Sequence, residues 1–251
     1  MSRKRNSKNV TQNKDEAIQK LDLLLTEMIH SKTDKLLKKS DLVSYWIKSF
    51  SDYIYREESF NPNKLIRYSR GDVIRVNFGF RVGKEFGGLH YAVVLDNKNN
   101  RSSHVTTVIP LSSTDGKKIH PNNVDLGSEL FYKVKDQSEK LIVKLEAMSN
   151  EIGRLLKLYN ELLPSEVSSK DVLDLVNKHK EALDDLSLLK KYAKEISRMK
   201  DGSMAIVNQI TTVSKQRIYV PKKSTDFLYN IKLSPNAMDK INNKIKSMYI
   251  K

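Results

Sequence analysis

Apolar and polar positions alternate in two short runs on either side of a glycine-rich stretch, Arg70 to Asp96, and nowhere else is the pattern so sharp. Val73, Ile74, Val76 and Phe78 predict one strand and Tyr91 to Leu95 a second, because successive side chains of a strand point to opposite faces. Between them Gly79, Gly83, Gly87 and Gly88 let the backbone turn through positive φ or approach a ligand closely. The unit reads as a hairpin carrying Arg81, Lys84, Glu85 and His90 in its turn.

Elsewhere the period changes from two to between three and four. Ile18, Leu21, Leu25 and Met28 predict one helix, and Ser40 with Asp41 predicts the cap of another carrying Val43, Trp46, Ile47, Phe50 and Ile54. The stripe of Trp46, Phe50 and Tyr53 reads as core rather than as a stacking surface for bases. Leu141, Leu145, Met148, Ile152, Leu155, Tyr159 and Leu162 follow the spacing of a coiled-coil face. Pro164 and Ser165 interrupt it, Ser168 and Ser169 offer a cap, and Val172, Val176, His179, Leu183, Leu186 and Leu189 resume an apolar face, which predicts an antiparallel helical hairpin. Short strands return at Met204 to Val207 and Arg217 to Val220, and Ser234 with Pro235 predicts the start of a last helix through Met248. Seven of the nine glycines lie between Gly71 and Gly127, so a turn-rich β unit stands among helices. The expected organisation is a disordered basic tail (1–13), a helical extension (14–60), one β domain formed by 66–133 with 202–251, and a helical hairpin (134–201) inserted into it.

Composition narrows the class of protein. A chain of 251 residues with 39% hydrophobic content can bury a real core. The formal net charge of +15 predicts attraction to polyanions, nucleic acid foremost, although a solvated lysine-rich surface would give the same sum. The absence of cysteine excludes disulfides, thiolate metal sites and cysteine nucleophiles and fits a reducing cytoplasm. No histidine pair has metal-ligand spacing, so neither a metal nor another cofactor is expected. No apolar run has the length of a bilayer span or a secretory signal. The segment GKEFGG lacks the spacing and terminal lysine of a phosphate-binding loop, which argues against nucleotide hydrolysis.

Three ordered strings, GDVIRVNFGFRVGKEFGGLHYAVVL, VTTVIPLSS and SMAIVNQITTVSKQRI, resemble the successive blocks of the MazF/PemK toxins of bacterial toxin-antitoxin systems, over roughly 69–133 and 202–250. The resemblance implies an α+β fold: an SH3-like β-barrel with a carboxy-terminal helix, to which this chain adds amino-terminal helices and the inserted hairpin. It also implies a homodimeric, metal-independent endoribonuclease acting on single-stranded RNA and inhibited by a cognate antitoxin. Gly83 and Glu85 match the family's first loop, but His90 stands where the family has a catalytic arginine and Tyr91 where a proline often follows. Ser112 corresponds best to the catalytic threonine or serine of the second block, with Ser113 and Thr114 beside it, while Gln209 and Arg217 fall on glutamine and basic positions of the third.

Metal-free RNA cleavage needs a base for the ribose 2′-hydroxyl, an acid for the leaving 5′-oxygen and donors for the charged phosphorane. His90 supplies a group that titrates near neutrality, with Glu85 as its partner and Ser112 completing the catalytic set. Arg81, Lys84, Ser113, Gln209 and Arg217 form the expected RNA-binding set. The alternative is a noncatalytic toxin on the same fold that binds nucleic acid by charge or inhibits a protein target.

Overall fold

The structure, a computed structural model, describes residues 6–114, 116, 118–161 and 168–250. Leu162, the Pro164–Ser165 interruption, the side chain of Tyr159 and residues 1–5 of the expected tail lie outside that description. Contacts divide the chain into two compact units, one ending at Ser59 and one beginning at Phe60.

The first unit is a helical hairpin of α1 (Ser7–His30) and α2 (Asp34–Tyr55). Residues 7–13, expected to be disordered, form the start of α1: Asn6 Oδ1 accepts from the Asn9 amide at 2.8 Å and caps the first turn. Helix α2 starts at Asp34 rather than at the expected Ser40–Asp41 cap. The good helix formers between those positions carry the helix through, and Ser40 is buried at the crossing, its hydroxyl 3.5 Å from the Leu25 carbonyl. Trp46 packs on Phe50 and Tyr53 at ring separations of 5.8 and 6.3 Å, but Phe50 stays 49% exposed, so the aromatic stripe packs on itself without the burial expected of a core.

The second unit is a mixed α+β structure built on an antiparallel sheet. Its strands are β1 (Val73–Asn77), β2 (Leu89–Val94), β3 (Val105–Ser113), β4 (Asn123–Gly127), β5 (Ser203–Ile206), β6 (Thr211–Ser214) and β7 (Ile218–Val220). Pairing runs β4-β5-β3-β2-β1-β7, with β6 also on β3. Among the described residues the pairing ends at β4 and β7 and does not close the sheet, so the expected barrel is seen as an open antiparallel sheet. Strands β5 and β6 both follow one edge of β3, and the 3-10 turn Val207–Gln209 is the excursion between them.

Both faces of the sheet are buried. On one, Val73, Val93, Ile109 and Leu111 meet Leu130 and Val134 of α3 (Glu129–Glu161), Tyr192 of α4 (Ser169–Ile196), the Phe227–Leu233 segment, and Met238 and Ile241 of α5 (Pro235–Tyr249). On the other, Ile74, Val76, Ala92, Val94 and Val108 enclose Tyr68, Phe78 and Ile218. This alternation is what strand geometry dictates when each face has a cover. Helix α5 starts as expected: Ser234 Oγ accepts from the Ala237 amide at 3.2 Å, with Pro235 in the first turn.

Helices α3 and α4 pack as the predicted hairpin, and α3 turns the expected positions Leu141, Leu145, Met148, Ile152 and Leu155 away from full exposure. Of the face expected on helix α4 only Leu189 is half-buried, and His179 is exposed. Val172, Val176, Leu183 and Leu186 are 40–55% exposed, while Leu175, Ala182, Leu188 and buried Tyr192 turn inward. Two constraints set this rotation. Tyr192 is anchored in the sheet's core, its ring 4.9 Å from Phe227. Farther along, Lys144 reaches Glu181 and Asp185, and Lys178 reaches Glu151, each at 2.7 Å across the seam.

Candidate functional site

Strand β1 places Arg75 opposite Tyr91 of β2. A charged residue at an inward position of an apolar strand needs a partner, and α4 supplies it. Glu195 accepts from Arg75 Nη1 at 2.8 Å through Oε1 and from the Tyr91 hydroxyl at 2.9 Å through Oε2. Burial, reinforced by the neighbouring carboxylate, pushes the Tyr91 hydroxyl well above its ordinary pKa and keeps it a donor. The Arg75 guanidinium also lies 5.7 Å from the Tyr91 ring and 5.9 Å from that of Tyr219.

Strands β2 and β3 pair only through Ala92↔Pro110, Val93↔Ile109 and Val94↔Val108. Two residues farther in the same register stand His90 and Ser112, where the strands have parted and β5 has taken Leu111 to Ser113 as partners. The gap is a cavity of about 270 Å³ lined by His90, Ser112 and Ser113, with Arg75, Glu195 and Arg198 on its wall. The His90 ring lies 4.6 Å from Phe86, which meets Phe78 edge-on at 5.6 Å. Burial first and the Arg75 charge second hold the imidazole below its usual pKa, so its neutral form prevails near pH 7.

The glycine-rich turn is braced at its base. Phe78 donates to the Gly88 carbonyl and Gly88 to that of Gly79, both at 2.8 Å. Gly87 lies so close to this turn that a Cβ there would stand 2.7 Å from the Gly79 carbonyl oxygen. Gln209, projected by the turn between β5 and β6, accepts from the Phe86 amide at 3.1 Å and reaches the Lys84 carbonyl at 3.5 Å. Arg81 Nε donates to the Phe78 carbonyl at 3.1 Å and Arg217 Nε to that of Asn77 at 2.8 Å.

The expected residues therefore separate. His90, Ser112 and Ser113 share the cavity. Gln209, Arg81 and Arg217 support the hairpin from its backbone, and Lys84 and Glu85 are exposed in its turn, outside the cavity lining. Sequence reasoning missed Arg75, Tyr91 and Glu195 as members of the site. Arg75 carried a signal, a lone charge in VIRV, but Glu195 is joined to it only by folding.

Residues 69–170 match the model of the PemK-like, MazF-like toxin of type II toxin-antitoxin systems. Over these residues the chain is similar to the PemK/MazF toxins. The match covers β1 to β4, α3 and the first residues of α4. The rest of this PemK-like protein's sheet, β5 to β7, lies beyond the match yet pairs with β1, β3 and β4. None of the curated proteins matches the chain. Among the described residues of this PemK-like protein no helix is long and apolar enough to cross a membrane, and no group of three or more histidine, aspartate or glutamate residues is placed to hold a metal ion.

Proposed function

We propose that the protein is the toxin of a toxin-antitoxin pair and an endoribonuclease that cuts single-stranded RNA without a metal. The observation that carries this reading is the meeting of His90, Ser112 and Arg75 around one cavity in a family of toxins. Neutral His90 takes the 2′-hydroxyl proton, the 2′-oxygen attacks the adjacent phosphorus, and the bond to the 5′-oxygen breaks to leave a 2′,3′-cyclic phosphate. The protonated imidazole returns a proton to the leaving oxygen. Arg75 and the Ser112 hydroxyl stabilise the extra charge on the phosphorane, and Ser113 with the Lys84–Glu85 turn contacts the flanking RNA.

In this reading the sheet and α5 form the family's SH3-like barrel, the active species is a cytoplasmic homodimer, and a cognate antitoxin blocks the cavity. The test is incubation of the purified protein with a long single-stranded RNA in EDTA, mapping the ends formed. Discrete cuts with cyclic phosphate ends, lost in His90→Ala and Ser112→Ala, are expected. Intact RNA under these conditions would sink the nuclease reading and favour a noncatalytic toxin.

A further inference from the structure

A second cavity, of about 500 Å³, lies on the other side of the Arg75–Glu195 pair and shares Arg75, Glu195 and Arg198 with the first. Its wall adds Lys191 and Lys194 from α4 and Tyr219 from β7. Positions 191, 194, 195 and 198 recur at helical spacing, so the end of the inserted hairpin aims three cations and one carboxylate at the sheet. The carboxylates here are already engaged: Glu195 by Arg75 and Tyr91, and Asp226 by the backbone amides of Lys222 and Lys223 at 2.8 and 3.0 Å. Tyr219 is 59% exposed, with the Arg75 guanidinium 5.9 Å from its ring.

Cations along a groove beside an exposed aromatic face are what single-stranded nucleic acid requires: charge for the backbone and a ring for an unpaired base. We infer that this second cavity is a subsite for single-stranded RNA next to the cleavage cavity, with Lys191, Lys194 and Arg198 on phosphates and Tyr219 stacked on a base. The inference rests on the nuclease reading for its direction, since the shared wall leads the strand toward His90 and Ser112. The end of α4 that supplies the lysines, like Tyr219, lies outside the matched residues 69–170. A partly exposed ion pair, Arg75–Glu195, fixes that end of α4 to the sheet.

The test uses the full chain and uncleavable 2′-O-methyl single-stranded RNAs of sixteen and four nucleotides, with cleavage of ordinary RNA measured in parallel. Lys191 and Lys194 are exposed, so a Lys191→Ala, Lys194→Ala double variant keeps its fold. It is expected to bind the longer RNA roughly tenfold more weakly, with a salt slope lower by about 1.4, two single-strand phosphate contacts. Tyr219→Ala is expected to lose roughly tenfold for the same RNA with its salt slope unchanged, and Tyr219→Phe to restore it. Both variants should bind the four-nucleotide RNA, which is too short to fill both cavities, as the wild type does. Wild-type affinity for the longer RNA in both variants overturns the subsite while leaving cleavage intact. Loss of binding in the variants with no cleavage by any form supports the subsite and overturns the nuclease reading. A wild-type protein that neither binds nor cuts RNA overturns both.

Discussion

In the proposed nuclease reading His90 acts by proton transfer, so its chemistry depends on protonation. Its pKa is lowered by burial and by Arg75, so the acidic limb of the cleavage rate should have its midpoint below about 6.5, the ordinary imidazole value. Replacing Arg75 by Gln removes one of the two causes and should move that midpoint upward, which a pH-rate profile reads directly. Stability follows the same sign. The folded imidazole binds a proton less readily than the unfolded one, so the contribution is whole above about pH 6.5 and declines as pH falls through the window toward the lowered folded value. Thermal unfolding of His90→Gln should depend less on pH across that window. Gly87 is constrained by space rather than by dihedral angle, because an added Cβ meets backbone rather than a movable side chain. Gly87→Ala is expected to cost about 1–3 kcal/mol, as overpacking does, and to lower RNA cleavage by disturbing Phe86 and His90, with denaturant unfolding separating the two effects.

Periodicity located the elements but not always their faces. The stripe of Val172, Val176, Leu183 and Leu186 reads as the inward face of α4, yet these residues are exposed. A single helix reveals that it has an apolar side; which side meets the neighbour depends on where the far end is anchored. Here Tyr192 in the core and Glu195 on Arg75 set the rotation. The consequence is measurable: Leu183→Ala should change stability by no more than about 0.5 kcal/mol, whereas Tyr192→Ala should cost about 3–5 kcal/mol. The reverse ranking in equilibrium denaturation would restore the stripe to the seam. The excursion between β5 and β6 shows the same limit. The apolar runs marked β5 and β7, but β4 (NVDLG) and β6 (TTVS) carry few apolar residues, and their pairing was decided by the free edges of β3 and β5.

In the molecule as a whole the second unit holds nearly all of the buried apolar side chains, and Met28 is the one described in the first. A chain beginning at Phe60 should therefore keep a cooperative unfolding transition, with circular dichroism losing helix and little else. Non-cooperative melting of that chain would show that α1 and α2 are required for the core. What the sequence determined by itself is local: the β1–β2 hairpin with its glycines, the helical character of the segments around the sheet, the Ser234–Pro235 helix start, and the likeness to PemK-like toxins, carried by strings of contiguous residues. Among the site residues, His90 and Ser112 were legible because each belongs to such a string. The joining of Arg75 and Tyr91 to Glu195, and the gathering of the cations of the second cavity, were decided by tertiary structure alone. Ion pairing and enclosure depend on distance in space, and folding brings Glu195 from the far end of an inserted helix to a strand 120 residues earlier.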